Sequence, residues 1–184
     1  MRTDYSIFMK RNTLAYVSEY NEVGKLVTDI CTTNGVYRVD MEPIKLIDKV
    51  LKTYGSSYIG AKESSKFHLG DIDMAPLVIG GAEGVYLFPS ESPASHKCVW
   101  FALHHVAHYK EIDKKNTAVY LTNGLVLTVG VSKSSFERRL SSATRLRVKM
   151  EGQHLGYRSY DIEVDYQMVR ELKGYTYRTK RQNE

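Results

Sequence analysis

Apolar residues along this chain follow two different periods. From Pro43 to Gly55, Ile44, Ile47, Val50 and Leu51 recur at steps of three and four, which predicts an amphipathic helix. Glu42 and Pro43 suit its start, because proline lacks an amide hydrogen that the first turn would leave unused. Gly55 suits its stop. On either side the period drops towards two. "TLAYVSEY" (13–20) and "KLVTDICT" (25–32) read as strands, and Asn34-Gly35 marks a turn into a third.

From Ser64 to Pro93 the prediction is a loop-rich stretch interrupted by one short strand, "VYLFP" (85–89). "CVWFALHHVAHYKEI" (98–112) alternates as one continuous strand. Val99, Phe101, Leu103, Ala107 and Tyr109 point one way, and Trp100, His104, Val106 and His108 the other. Two β-rich runs then flank Asn123-Gly124, a hairpin signal in which both central residues take positive φ. "SKSSFERRLSSATRLRVKME" (132–151) is a second helix, with Ser134 and Glu137 at capping-box spacing and Phe136, Leu140, Ala143 and Met150 in one stripe. A short helix is predicted around "IEVDYQMVRELKG" (162–174), ahead of a polar, basic end. The expected architecture is α+β: an antiparallel sheet with two main helices and a small C-terminal helix, in a single domain over residues 1–184.

One stretch imitates a phosphate loop. "TYGSSYIGAK" (53–62) has two glycines separated by four residues and a lysine behind them. A Walker loop needs lysine directly after the second glycine, then a metal-binding hydroxyl, and it runs from a strand into a helix. Here Ala61 follows Gly60, Lys62 is one place late, Glu63 would repel phosphate, and a helix comes first. The stretch reads instead as a loop after a helix, with Ser56, Ser57 and Lys62 available to a phosphate backbone. The competing reading is a turn that packs Tyr58 and Ile59 into the core.

Composition narrows the function classes. Of 184 residues, 26 are Lys or Arg and 21 are Asp or Glu, a net charge of +5 that favours a polyanionic partner. The two cysteines, Cys31 and Cys98, form no CxxC unit, so neither a disulfide framework nor a structural zinc site is expected. "HHVAH" places His104 four residues before His108, but a strand does not bring them together as a helix would, and no third ligand is near. No nucleophile sits in a GxSxG elbow, and the carboxylate pairs Asp71/Asp73 and Glu111/Asp113 lie in polar turns. No enzyme, metal or cofactor is expected. With no long apolar run and no apolar core of a signal peptide near its start, the chain is expected to be cytoplasmic, without membrane contact.

The second helix stands out. Between Lys133 and Lys149 there are six basic residues against one acidic. Arg138, Arg139, Arg145, Arg147 and Lys149, together with Ser56, Ser57, Lys62, Lys66 and Lys97, are the residue types that hold nucleic-acid phosphates. They are the candidate DNA contacts.

Residues 36–150 resemble the ComK family of competence transcription factors. The resemblance rests on Pro43, Gly55 to Tyr58, Gly60, Lys62, Pro76, Phe88, Pro89, Ser92, Pro93, Cys98, Trp100, His105, Asn123, Gly124, Ser135, Phe136, Glu137, Thr144 and Arg147, in consistent order. It implies an activator of DNA-uptake genes that binds paired AT-rich boxes of double-stranded promoter DNA, mainly from the minor groove. It further implies a homodimer assembling into a tetramer on DNA, help to RNA polymerase, a nucleoid location and an adaptor that directs proteolysis. Residues 151–184 would then be a regulatory or dimerisation segment. Three features depart from the family pattern. Ala61 stands where the family has arginine, Ser90 replaces threonine, and the Phe-Met-Leu-Tyr-Pro stretch read by the adaptor is missing. The alternative that Ala61 and the altered tail suggest is a related DNA- or partner-binding regulator without activation.

Overall fold

The computed structural model describes residues 5–81 and 84–154. A 3-10 turn, Tyr5–Phe8, leads into β1 (Thr13–Tyr20), β2 (Leu26–Thr32) and β3 (Gly35–Val39). Two helices follow, α1 (Pro43–Thr53) and α2 (Tyr58–Leu69), then β4 (Leu77–Ile79), β5 (Val85–Pro89) and β6 (Val99–Ala102). These six strands form one antiparallel sheet in the order β3-β2-β1-β6-β5-β4. A second antiparallel sheet holds β7 (Val106–Asp113), β8 (Asn116–Leu121) and β9 (Val126–Val129), and α3 (Lys133–His154) completes the described chain.

The large sheet buries both faces, and alternation along β6 assigns its side chains. Trp100 and Ala102 join one cluster with Leu46, Ile47, Val50 and Leu51 of α1. Val99 and Phe101 point the other way, into a cluster with Val119, Leu121 and Val129 of the small sheet and Phe136 and Ala143 of α3. The rings of Phe88, Phe101 and Phe136 meet there at centroid separations of 5.6–5.7 Å. On β1 the register shifts between Thr13 and Ala15. Such a bulge adds a residue to one strand, and Leu14 and Ala15 accordingly both reach the second cluster.

Several expectations change. The chain is α+β with antiparallel sheets, as expected, and among the described residues α2 joins the two main helices that the periodicity predicts. The short helix expected at 162–174 lies outside them. The stretch after Gly55 is no simple loop: α2 begins at Tyr58, so residues 64–69 are helical, and β4 adds a strand to the region expected to be loop. The strand expected over 98–112 is two strands. A 3-10 turn at Leu103–His105 breaks it, and β6 and β7 belong to different sheets. Alternation carried on through both halves gave no sign of the break, because a single 3-10 turn leaves the hydrophobic pattern on either side intact.

Caps and turns differ too. α3 begins two residues earlier than capping-box spacing placed it, with Ser132 and not Ser134 as its N-cap. Ser132 Oγ accepts from Ser135 N, and Ser132 O accepts from Phe136 N at 3.0 Å. At the β8–β9 hairpin only Gly124 has positive φ (+87°), not Asn123. Gly124 N donates to Leu121 O and Leu121 N to Leu125 O, closing a longer turn than the two-residue type that needs two left-handed positions.

Candidate nucleic-acid interface

The connection between the two N-terminal helices explains the glycine-serine stretch. Gly55 adopts φ +76°, which lets the chain reverse after α1. Ser57 is the N-cap of α2, its Oγ accepting from Gly60 N at 3.0 Å. Asp48, from α1, accepts from Tyr58 N at 2.9 Å and pairs with Lys52 at 2.6 Å. The bond to Lys52, and after it the amide bond from Tyr58, hold the Asp48 carboxyl below its usual range. Ser57 is thus occupied as a cap. Ser56 is exposed, and Lys62 is exposed with no ion pair among the described residues.

Tyr58 and Ile59 part company. Tyr58 is half-buried, with its ring edge-on to Trp100 at 6.2 Å, whereas Ile59 is 68% exposed. Ala61 is buried in the first cluster. Its position faces the core, so the departure from arginine there leaves no gap on an outer surface.

On α3 the basic residues divide by helical geometry, at 100° per residue. Arg138, Ser142, Arg145 and Lys149 recur at steps of four, three and four and make one stripe. Arg147 projects on the opposite flank, where its Nε donates to Glu151 Oε1 at 2.8 Å. Arg139 turns inward from the stripe and is half-buried. The stripe runs along α2 and the loop that follows it. Lys149 Nζ donates to His68 O in the last turn of α2, where a cation also favours the helix dipole. Leu146 packs with Leu69 beneath.

Next to this contact the stripe borders a groove of about 350 Å³, whose far wall is Ile72, Asp73 and Met74. Arg138 and Arg145 stand exposed at its rim, and Arg139 lies deeper. Arg139 Nε donates to Met74 Sδ at 3.2 Å, a weak acceptor. Its Nη1 is buried with no hydrogen-bond partner among the described residues. Burial foremost, and then the charge of Arg138, lower the pKa of Arg139 from its ordinary value, while Cys98 and Glu91 act against this. Met74 itself has φ +53°, a left-handed conformation that a side chain with a Cβ adopts at some cost.

The remaining candidates are dispersed. Lys66 pairs with Asp71 at 2.5 Å, and the bond and charge of Asp71 raise its pKa. Lys97 is exposed between β5 and β6, its backbone N donating to Ser95 Oγ at 3.1 Å, and no contact joins it to the α3 set. Of the ten candidates, the structure therefore brings Arg138, Arg139 and Arg145 to one groove and Lys149 to the same stripe. Ser135, Ser142, Asp73 and Met74 were missed. Ser142 was within reach of sequence reasoning, four residues after Arg138. The Asp73-Met74 wall had no local signal, since it is brought to α3 only by the tertiary fold.

Other chemistry finds little support in the geometry. Burial foremost pushes the Cys31 and Cys98 thiols up to about 11, far from the thiolate a nucleophile needs. His104 and His105 both approach the Arg11 carbonyl, while His108 on β7 stacks with Tyr120 at 5.0 Å. Among the described residues no group of three or more His, Cys, Asp or Glu could hold a metal, and no helix is long and apolar enough to cross a membrane.

A family model described as "ComK protein" matches residues 3–154. The "Competence transcription factor" of Bacillus subtilis (strain 168) is 27% identical over 128 residues, 70% of this chain and 67% of the relative. No solved structure matches. The match begins well before residue 36, where the resemblance was expected to start. The fold gives the reason: β1 pairs with β2 on one side and β6 on the other, at the centre of the large sheet. With the family model spanning both sheets and the three helices of the described residues, this chain belongs to the ComK protein family.

Proposed function

We propose that the chain is a DNA-binding regulator of competence genes that holds the backbone of AT-rich duplexes through the Arg138–Arg145–Lys149 flank of α3. The observation that carries this reading is the groove beside α3, where three arginines converge with one carboxylate, Asp73, opposite them. The relative in Bacillus subtilis is named a competence transcription factor, and family membership supports the same class for this chain. Arginine and serine at a helix flank suit phosphate contacts that position a protein without reading bases. AT-rich boxes can then be recognised through the width and potential of a narrow minor groove.

Activation through RNA polymerase, with the protein acting as a dimer or tetramer on paired boxes, completes the proposal. The alternative without activation draws on Ala61 and on the altered C-terminal stretch; burial of Ala61 takes away the first of these supports and leaves the second. Footprinting on an AT-rich promoter fragment, joined to a reporter fused to it, tests the proposal. Protection of two boxes in phase, with raised transcription, is the expected result. Protection without a rise in transcription would favour the alternative, and no protection at low salt would refute both.

A further inference from the structure

The groove between α3 and the Ile72–Met74 loop is more specific than a basic surface. An arginine with one N–H on a thioether and another buried without an acceptor is poorly compensated. A buried donor left unmade costs free energy, more so when it is charged. Arg138 and Arg145 add two further cations at the rim, and Ser135 lines the same groove. The Ser135 hydroxyl oxygen accepts from Ser132 Oγ at 3.0 Å, which leaves its own hydrogen for a ligand. Ser142 is less available, because its hydroxyl donates to Arg138 O at 3.0 Å. Asp73 opposes an anion from the far wall.

We infer that this groove is a seat for a single tetrahedral anion, a phosphodiester of the bound nucleic acid, gripped by Arg138, Arg139 and Arg145 with Ser135 as a neutral donor. The inference rests on the DNA-binding reading and adds one discrete phosphate with its own pocket. Planar guanidinium groups suit such a target, since each can present two parallel donors to neighbouring oxygens, whereas an ammonium acts as a point charge. Met74, in its left-handed backbone, presents its sulfur to Arg139 and fixes the guanidinium against the wall. Asp73 repels any anion in the seat, and the three arginines outweigh it.

The test is a scan of the AT-rich duplex with neutral methylphosphonates, one position at a time, on the full chain. Wild type is expected to lose affinity about tenfold or more at one phosphate per bound protomer, the scale of a charged hydrogen bond. Arg145→Ala and Arg139→Lys are expected to bind more weakly from the outset and to show almost no further loss at that position, with thermal melts reporting folding. Because Arg145 is exposed, its variant carries the comparison if Arg139→Lys fails to fold. Asp73→Asn should tighten wild-type binding several-fold, the gain disappearing at the same methylphosphonate. At fixed ionic strength, inorganic phosphate should displace DNA from wild type more readily than from Arg145→Ala, showing that the seat also takes the free ion. If every methylphosphonate costs variant and wild type alike, the seat is overturned while DNA binding stands. If wild type binds no duplex at all, both the seat and the DNA reading fall.

Discussion

Asp48 shows how one side chain can set the geometry of a neighbouring helix. Its carboxylate accepts the Tyr58 amide at the start of α2 and pairs with Lys52, so a side chain from within α1 satisfies an amide in the first turn of α2. An anion at a helix N-terminus is favourable by about 0.3–1 kcal/mol, and the exposed part of the pair is weakened by solvent. Asp48→Asn should therefore lower the urea midpoint slightly at neutral pH. The sign of the pH effect follows from the depressed folded pKa. The contribution is complete above the ordinary carboxyl value of about 3.9 and is lost as pH falls through the lower folded value. Wild type and Asp48→Asn should converge in denaturant melts on acidification. A difference that persisted unchanged at the acid end would assign the effect to shape, not charge.

At the scale of elements, α3 is a two-sided rod held by one aromatic anchor. Phe136 is fully buried, with its ring near those of Phe88, Phe101 and Tyr109. Phe136→Ala should cost about 3–5 kcal/mol, measured by urea unfolding, and should weaken DNA binding only through loss of fold. The two flanks predict a contrast. Arg145→Ala should reduce the salt dependence of DNA binding, while Arg147→Ala, on the Glu151 side, should leave it unchanged. Equal effects would mean that the charge of α3 acts as a diffuse field.

Most elements were legible in the sequence: α1, α3, β1, β2, β5, β8 and β9 lie where apolar runs bounded by turn residues placed them, although β5 is buried throughout and does not alternate. α2 was not. Its buried positions, Ala61, Ser65 and Leu69, include two small residues, one of them a serine, so its inner face shows no apolar stripe. The Ser65 hydroxyl is satisfied by Pro76 O, a partner that only the tertiary fold supplies. The groove of the proposed site was half legible for a similar reason. Charge and spacing on α3 pointed to Arg138 and Arg145, but the inward turn of Arg139 and the Asp73-Met74 wall depend on how α2 and its loop dock.

Across the described residues, two sheets and three helices fix one flank of α3 beside the loop after α2, where the proposed DNA contacts lie. Each phosphate neutralised releases condensed counterions, so the logarithm of affinity falls with that of salt by about 0.9 per contact on duplex DNA. The most direct measurement is that slope on an AT-rich duplex, for wild type and for the Arg138→Ala/Arg145→Ala double variant. A steep wild-type slope that drops by about 1–2 in the folded double variant is the predicted result. An identical slope in both proteins, with the same affinity, would contradict the assignment of DNA binding to this flank.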